Sequence, residues 1–427
     1  MIWRLEAAVD APADVIGGKA AGLVTLMRLG LPVPDGFVVS VDACRAFLRD
    51  GNMPAGLEGA RAGLPTEAVS VRSGAAVSMP GMMATLLDVR GSVAPAVREI
   101  FGSWNTDRAR TYRTLHGIPH DLGTAVVVQA MVYGDRDEHS GSGVAFSRDP
   151  TTGAPEPYGD VLFGHRGDDV VSGRSATLPL TALADQEPTV WSALTDALSL
   201  LEKHFREACH VEFTVESGRL WLLQVRPGGL TARAAVRVAV DLADDGLIDR
   251  REAVRRITSQ CLRAAAVPRM LGGERLARGR GASPGVATGR VALSADRAVR
   301  MASDGPVILV RPETSPSDLH GFAAATGIVT NRGGLASHAA VVARSMGRPA
   351  VVGAADLRPA EGTLITIDGT SGEVAPGNPG LTPAVADPHL HRLLSWADDI
   401  SGDRSPRPGE QRLTAARAQL QRQANND

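Results

Sequence analysis

Residues Gly333–Gly353 read GGLASHAAVVARSMGRPAVVG. The glycine pair permits a tight turn, and Ser337 is a residue type that caps helices. Ala339 to Ala343 with Arg344 then make a small-residue helix that Gly347 and Pro349 end, and AVVG follows as a β-type run. The same alternation extends outward on both sides. Between residues 286 and 378 the runs VILV, GIVT, AVVG and LITID are separated by Ala-rich helical stretches, which predicts a β/α unit.

This reading puts His338 in the first turn of a helix. Unpaired backbone N–H groups and the positive end of the helix dipole favour negative charge there, so a phosphoryl group on the ring would be held where it forms. Neutral imidazole is also a usable nucleophile near neutral pH. The alternative is a packed histidine whose ring nitrogens simply find hydrogen bonds.

The rest of the chain bounds the function. With 427 residues it is long enough for two to four domains with substantial cores. A net charge of −2 leaves no basic surplus for nucleic acid or an anionic membrane. The N-terminal MIWRLEAAVDAPADV does not resemble a signal peptide, and no apolar run is long enough to span a bilayer. Cys44, Cys209 and Cys261 are few, isolated and odd in number, which indicates neither a disulfide framework nor a zinc cluster. The expectation is a cytoplasmic α+β or α/β multidomain protein.

Lysine usage singles out a second site. Of 45 basic residues only Lys19 and Lys203 are lysine, so Lys19 in IGGKAAGL is a marked choice. A compact ammonium after two glycines at a helix start is a suitable phosphate ligand; the alternative is a solvated surface lysine. In SVRSGAAVSMPGMM, Ser70–Met83, Arg72 ends a short strand before Ser73-Gly74, and SMPGMM supplies a loop able to lie over a nucleotide. In HSGSGVAFSRDPTTG, residues Ser140, Gly141, Ser142 and Gly143 precede a strand and offer further N–H groups. VEFTVESGRLWLLQVRP, Val211–Pro227, predicts a hairpin turned at Ser217-Gly218. Glu212 and Gln224 lie on its two arms, and a three-residue loop would set them opposite each other as oxygen ligands for Mg²⁺ on a polyphosphate. The alternative is a surface glutamate and an interstrand glutamine.

Taken in order, IGGKAAGL, SVRSGAAVSMPGMM, SWNTDRARTYR, GTAVVVQAMVYG, SGSGVAFSRDPTTG, VEFTVESGRLWLLQVRP, GASPGVATGRVA, the RPETSPSDLHG…GGLASHAAVVAR stretch and ITIDGTSGEV resemble successive motifs of the pyruvate, phosphate dikinases. The resemblance implies an ATP-grasp nucleotide-binding domain over residues 1–228, a helical linker and hinge over 229–285, a swivelling phosphohistidine domain over 286–378, and a C-terminal helix with a polar tail over 379–427. It implies that Lys19, Arg72, Glu212 and Gln224 bind ATP, that Glu212 and Gln224 also hold Mg²⁺, and that His338 carries the phosphoryl group. The substrates implied are ATP and inorganic phosphate, with pyruvate or another acceptor on a partner chain.

Four departures accompany the resemblance. His210 stands in the place of an aspartate near the metal, Ala336 in the place of a threonine beside the carrier, and the interval from Met83 to Trp104 is short of a helical subdomain. After WADDISGDR no segment resembles the pyruvate-binding barrel, so acceptor transfer is expected to need a partner. Two other readings stand beside the dikinase-like one: a stand-alone small-molecule kinase using a phosphohistidine, with 229–275 as the segment able to form its acceptor pocket, and a non-catalytic nucleotide-binding regulator.

Overall fold

The computed structural model describes residues 1–424 apart from Ser78, Pro80, 168–176, 266–267, Ala336 and 383–386. The departure at Ala336 and part of the SMPGMM loop therefore lie outside the described residues.

Two antiparallel five-stranded sheets come first. One joins β1 (Ile2–Arg4), β2 (Gly36–Val39), β3 (Ala68–Gly74), β4 (Thr85–Arg90) and β5 (Ala125–Ala130) in the order β1-β2-β5-β3-β4. The other joins β6 (Gly141–Phe146), β7 (Tyr158–Phe163), β8 (Leu178–Pro179), β9 (Cys209–Glu216) and β10 (Arg219–Pro227) in the order β10-β9-β6-β7-β8. The helix Ala13–Arg28 packs Ala20, Leu23 and Leu26 into a core shared by both sheets and by the helix Pro188–Phe205. Its apolar face is what ties them together.

Next, β11 (Arg269–Met270) leads into an eight-stranded sheet of β12 (Ala277–Arg278), β13 (Arg280–Ser283), β14 (Val286–Ala292), β15 (Val307–Arg311), β16 (Gly327–Thr330), β17 (Ala350–Val352), β18 (Leu364–Asp368) and β19 (Glu373–Pro376). Strands β14 to β17 are parallel neighbours, as the alternation of β-type runs with Ala-rich helices predicts. The stretch 272–285 differs from its reading as a hinge: Ala277–Arg278 and Arg280–Ser283 are edge strands on opposite sides of this sheet. The chain enters and leaves the sheet side by side, because β11 pairs antiparallel with β20 (Leu381–Thr382).

The charged periodicity after residue 229 forms the helices Ala232–Asp244, Arg250–Arg256 and Ser259–Ala265. They share a core with the helices Pro388–Ser401 and Gly409–Ala424, centred on Leu242, Val254, Leu393, Trp396 and Leu413. The polar C-terminal segment is thus a packed helix up to Ala424 rather than a frayed tail, since Leu413, Ala416 and Leu420 recur at helical spacing and are buried. No helix among the described residues is long and apolar enough to cross a membrane.

Candidate active site

The hairpin β9–β10 turns in two residues, not three. Ser217 and Gly218 both have positive φ, 50° and 74°, and Glu216 pairs with Arg219. That is the I′ geometry whose twist suits a hairpin. A strict ladder from such a turn would set Glu212 opposite Leu223. The register instead shifts between Leu222 and Gln224, so Leu223 bulges and Gln224 falls opposite Glu212, with Arg226 opposite His210. Alternation along β9 buries Cys209, Val211, Phe213 and Val215, while His210 and Glu212 face the other side.

The bulge has a second use. The carbonyl of Leu223 accepts a hydrogen bond at 3.0 Å from Nη2 of Arg72, which also donates to Oε1 of Gln129. Arg72 is 6% exposed, and its Nη1 stands 4.0 Å from Oε2 of Glu212. Sheet one thereby delivers a fixed guanidinium to the hairpin of sheet two.

Lys19 reaches the same place through two glycines. Gly17 breaks the helix Ala13–Arg28 with φ 80°, and a Cβ there would run into the carbonyl of Gly74. The helix restarts beyond this break, so Lys19 does stand at a helix start, against the loop after Arg72. Burial, reinforced by the charges of Arg72 and Arg226 and opposed by Glu212, pushes the Lys19 ammonium down to about 7. For Glu212 burial acts upward, but Lys19, Arg226, Arg72 and His210 outweigh it and hold the carboxyl below its ordinary range. The cluster is therefore two arginines and a lysine poised to take a proton around one carboxylate, a field suited to a polyphosphate, whose charge would draw Lys19 into its protonated form.

Gln224 is 1% exposed, and neither Oε1 nor Nε2 has a hydrogen-bond partner. Buried amides are normally paired, so this one is short of a ligand. Beside it, the His210 ring is pushed down to about 4 by burial, Arg226 and Arg344, with Glu212 opposing, and its Nδ1 is unpartnered. No group of three His, Cys, Asp or Glu side chains able to hold a metal occurs among the described residues. A divalent cation here would rest on Glu212, the amide oxygen of Gln224 and the oxygens of a nucleotide, and the buried unpaired amide fits that role.

His338 stands apart from this cluster. It opens the helix His338–Met346, which ends at Gly347 with φ 62°. Ser337 occupies the N-cap position, but its hydroxyl makes no capping bond and is buried without a partner. Both ring nitrogens of His338 are likewise buried without a hydrogen-bond partner. Burial pushes the ring down to about 4; Asp318 opposes this and Arg108 adds to it, while Phe322 sits edge-on at 6.1 Å. Arg108, on the helix Asp107–Leu115, also donates to the carbonyl of Met82 at 3.1 Å.

A pH dependence follows. A folded-state value of about 4 below the ordinary 6.5 means that the unfolded chain binds the extra proton first, so His338 makes stability fall as pH drops from about 6.5 toward 4 and contributes nothing to pH dependence above that window. In protein carrying ¹³Cε1-labelled histidine, the His338 resonance should hold its neutral shift down to about pH 5. A titration midpoint near 6.5 would contradict the burial.

Contacts join the two regions. Arg280 pairs with Asp160 at 2.6 Å, Asp160 being fully buried, and Arg280 lies 3.3 Å from the Tyr158 hydroxyl. Arg344, on the His338 helix, donates to the carbonyls of Ala282 and Leu335 at 3.1 and 2.8 Å. Burial drives Arg344 down to about 10. Its charge, on the helix that begins at His338, is felt at His210 on the hairpin.

Two expectations are corrected. Gly141 and Ser142 open β6 itself, an interior strand paired with β7 and β9, and a Cβ on Gly143 would strike Phe213. The small residues there allow close packing and offer no free N–H cradle. In the SMPGMM loop, Met79 and Met82 are buried in a cluster with Trp104, Tyr112, Leu335 and Ala339, so they pack against the unit that holds His338 rather than lie over the hairpin. The sequence reading missed Arg226, which alternation from Gln224 would have found, and Arg108 and Arg344, which carry no local signal.

Comparison with known proteins agrees with this architecture. Residues 13–59 and 56–188 match the pyruvate phosphate dikinase AMP/ATP-binding domain, and residues 303–372 match the PEP-utilising enzyme mobile domain. The chain is 35% identical to pyruvate, phosphate dikinase of Rhizobium meliloti (strain 1021), covering 90% of this chain and 58% of that protein. It is 32% identical to pyruvate, phosphate dikinase of Clostridium symbiosum, covering 93% and 60%. Among solved structures, that of the D-cycloserine synthetase DcsG gives a TM-score of 0.28 at 15% identity over 49% of this chain and 62% of its own, too loose a match to bear on the fold. The Rhizobium alignment runs over 523 positions against 427 residues here, so the relatives carry stretches within the matched span that this chain lacks. The chain spans about three fifths of the length of these relatives, and over its AMP/ATP-binding and mobile domains it belongs to the pyruvate, phosphate dikinase family.

Proposed function

We propose that this chain transfers a phosphoryl group from ATP to His338 and carries it toward a separate acceptor. The observation behind this reading is the cluster of Lys19, Arg72 and Arg226 around Glu212, with the unpaired amide of Gln224 across from it and the charge of Arg344, on the His338 helix, felt at His210. Residues 1–228 would be the nucleotide unit, 277–378 the carrier with its two edge strands, and the helices of 232–265 and 388–424 a shared unit between them.

A neutral ring nitrogen of His338 attacks the β-phosphorus of ATP, the bond from that phosphorus to the α-bridging oxygen breaks, and AMP leaves. Inorganic phosphate then takes the γ-phosphoryl group as diphosphate, leaving phosphohistidine. Lys19, Arg72 and Arg226 neutralise the charge that builds on the oxygens and hold the chain of phosphates in line. Mg²⁺, when bound at Glu212 and Gln224, would add charge neutralisation between phosphates. Its burial among Phe322, Met82 and Arg108 keeps the His338 ring unprotonated, and the free N–H groups of its helix start would receive the transferred group. Pyruvate, giving phosphoenolpyruvate, or another acceptor bound elsewhere would then take the phosphoryl group in a compartment we place in the cytoplasm.

The test supplies ATP, Mg²⁺ and phosphate to the purified chain. AMP and diphosphate should appear in amounts equal to the phosphorylated protein. Production of ADP alone would contradict the reading.

A further inference from the structure

We propose that His210, Glu212 and Gln224 form a mixed nitrogen–oxygen site that takes a divalent cation of the manganese–cobalt class, together with the polyphosphate, in preference to magnesium. The inference rests on the reading of the cleft as a nucleotide site and goes beyond it in naming a third ligand and the class of metal.

Three observations carry it. Strand alternation sets His210 and Glu212 two residues apart on one face of β9, and the bulge at Leu223 brings Gln224 across from Glu212 on that face. Next, the donors are vacant: Gln224 is 1% exposed with both amide atoms unbonded, and Nδ1 of His210 is buried and unbonded while the ring packs at 5.2 Å on Phe146. Leaving such groups unpaired away from water is costly, so the arrangement calls for a ligand. Last, the donor set is one imidazole, one carboxylate and one amide oxygen. Magnesium selects oxygen donors and keeps much of its water, whereas one imidazole in an otherwise oxygen donor set favours a first-row transition ion; manganese, which shares magnesium's preference for carboxylate and carbonyl oxygen, stands at the weak end of that series and cobalt further along it.

The same surroundings make the site conditional. Arg72 and Arg226 face it together with a partly protonated Lys19, and a lone carboxylate does not offset their positive charge. The metal therefore enters with the negative charge of the polyphosphate, whose oxygens complete its coordination and accept from Nε2 of Gln224.

The test uses the full chain with Mn²⁺ and a methylene-bridged, non-hydrolysable ATP analogue, with analogue binding first measured by equilibrium dialysis. Electron spin-echo modulation should show a directly bound nitrogen whose coupling changes when the histidines carry ¹⁵N, which separates it from adenine nitrogen. In His210→Asp the Mn²⁺ should stay bound without that coupling, and the preference for Mn²⁺ over Mg²⁺ should fall by on the order of tenfold. Bound analogue and bound Mn²⁺ with no histidine coupling, or an unchanged metal preference in His210→Asp, would overturn the metal assignment and leave the nucleotide reading standing. Failure of the analogue to bind would remove both.

Discussion

Replacing His338 with alanine abolishes acid-labile labelling of the chain from ATP labelled in its β-phosphate. This is the largest effect expected from any single substitution, because a carrier has no substitute: the sequence holds ten histidines, and His338 opens a helix with its hydroxyl cap idle and both ring nitrogens unbonded. The ring is half-buried at the first position of its helix, so alanine should leave the sheet and the helix intact, as circular dichroism would report. Peptide mapping at alkaline pH should place the label on the peptide that contains Ser337 and His338. Label that survives in His338→Ala would remove this residue from the reaction.

Arg72→Ala should lower the rate of that labelling by on the order of 10² to 10³, and Glu212→Ala by a similar factor, since each removes one charged contact from a preorganised field. The two losses have different origins. Arg72 bridges the sheets through Gln129 and the carbonyl of Leu223, so its removal also releases the bulge that sets Gln224 opposite Glu212. Glu212 is the carboxylate that Lys19, Arg72 and Arg226 surround, and without it the cluster repels any cation that accompanies the nucleotide. Arg72→Lys separates charge from geometry: a lysine keeps the charge and loses the fork, so activity should recover only in part. Near-normal labelling in either alanine variant, with the fold intact, would place the nucleotide elsewhere.

Much of this site was legible along the chain. IGGKAAGL pointed to Lys19 because a lysine after a glycine pair is a local pattern, and Gly17 does break the helix there. VESGRL fixed a turn at Ser217-Gly218, and the two-residue spacing of His210 and Glu212 fixed a shared face. The misreadings have equally local causes. HSGSG has the composition of a phosphate loop, but only the position of Phe213 across the strand explains why its glycines are needed. SMPGMM looks mobile by composition, yet Met79 and Met82 are held by partners such as Leu335 and Ala339, more than 200 residues away in sequence.

The sequence by itself determined the elements: the β/α alternation around His338, the helix that begins at it and stops at Gly347, the hairpin, and the residue types able to meet phosphate. These follow from backbone preferences and side-chain periodicity, which act over a few residues. The tertiary structure alone decided the register at Leu223, the meeting of Lys19 and Arg72 with Glu212, the isolation of Gln224 from any partner, and the seat of His338 beside Arg108 and Asp318. Those depend on which surfaces pack together and on charges brought close by chain segments far apart, where burial strengthens each interaction in proportion to the water it excludes.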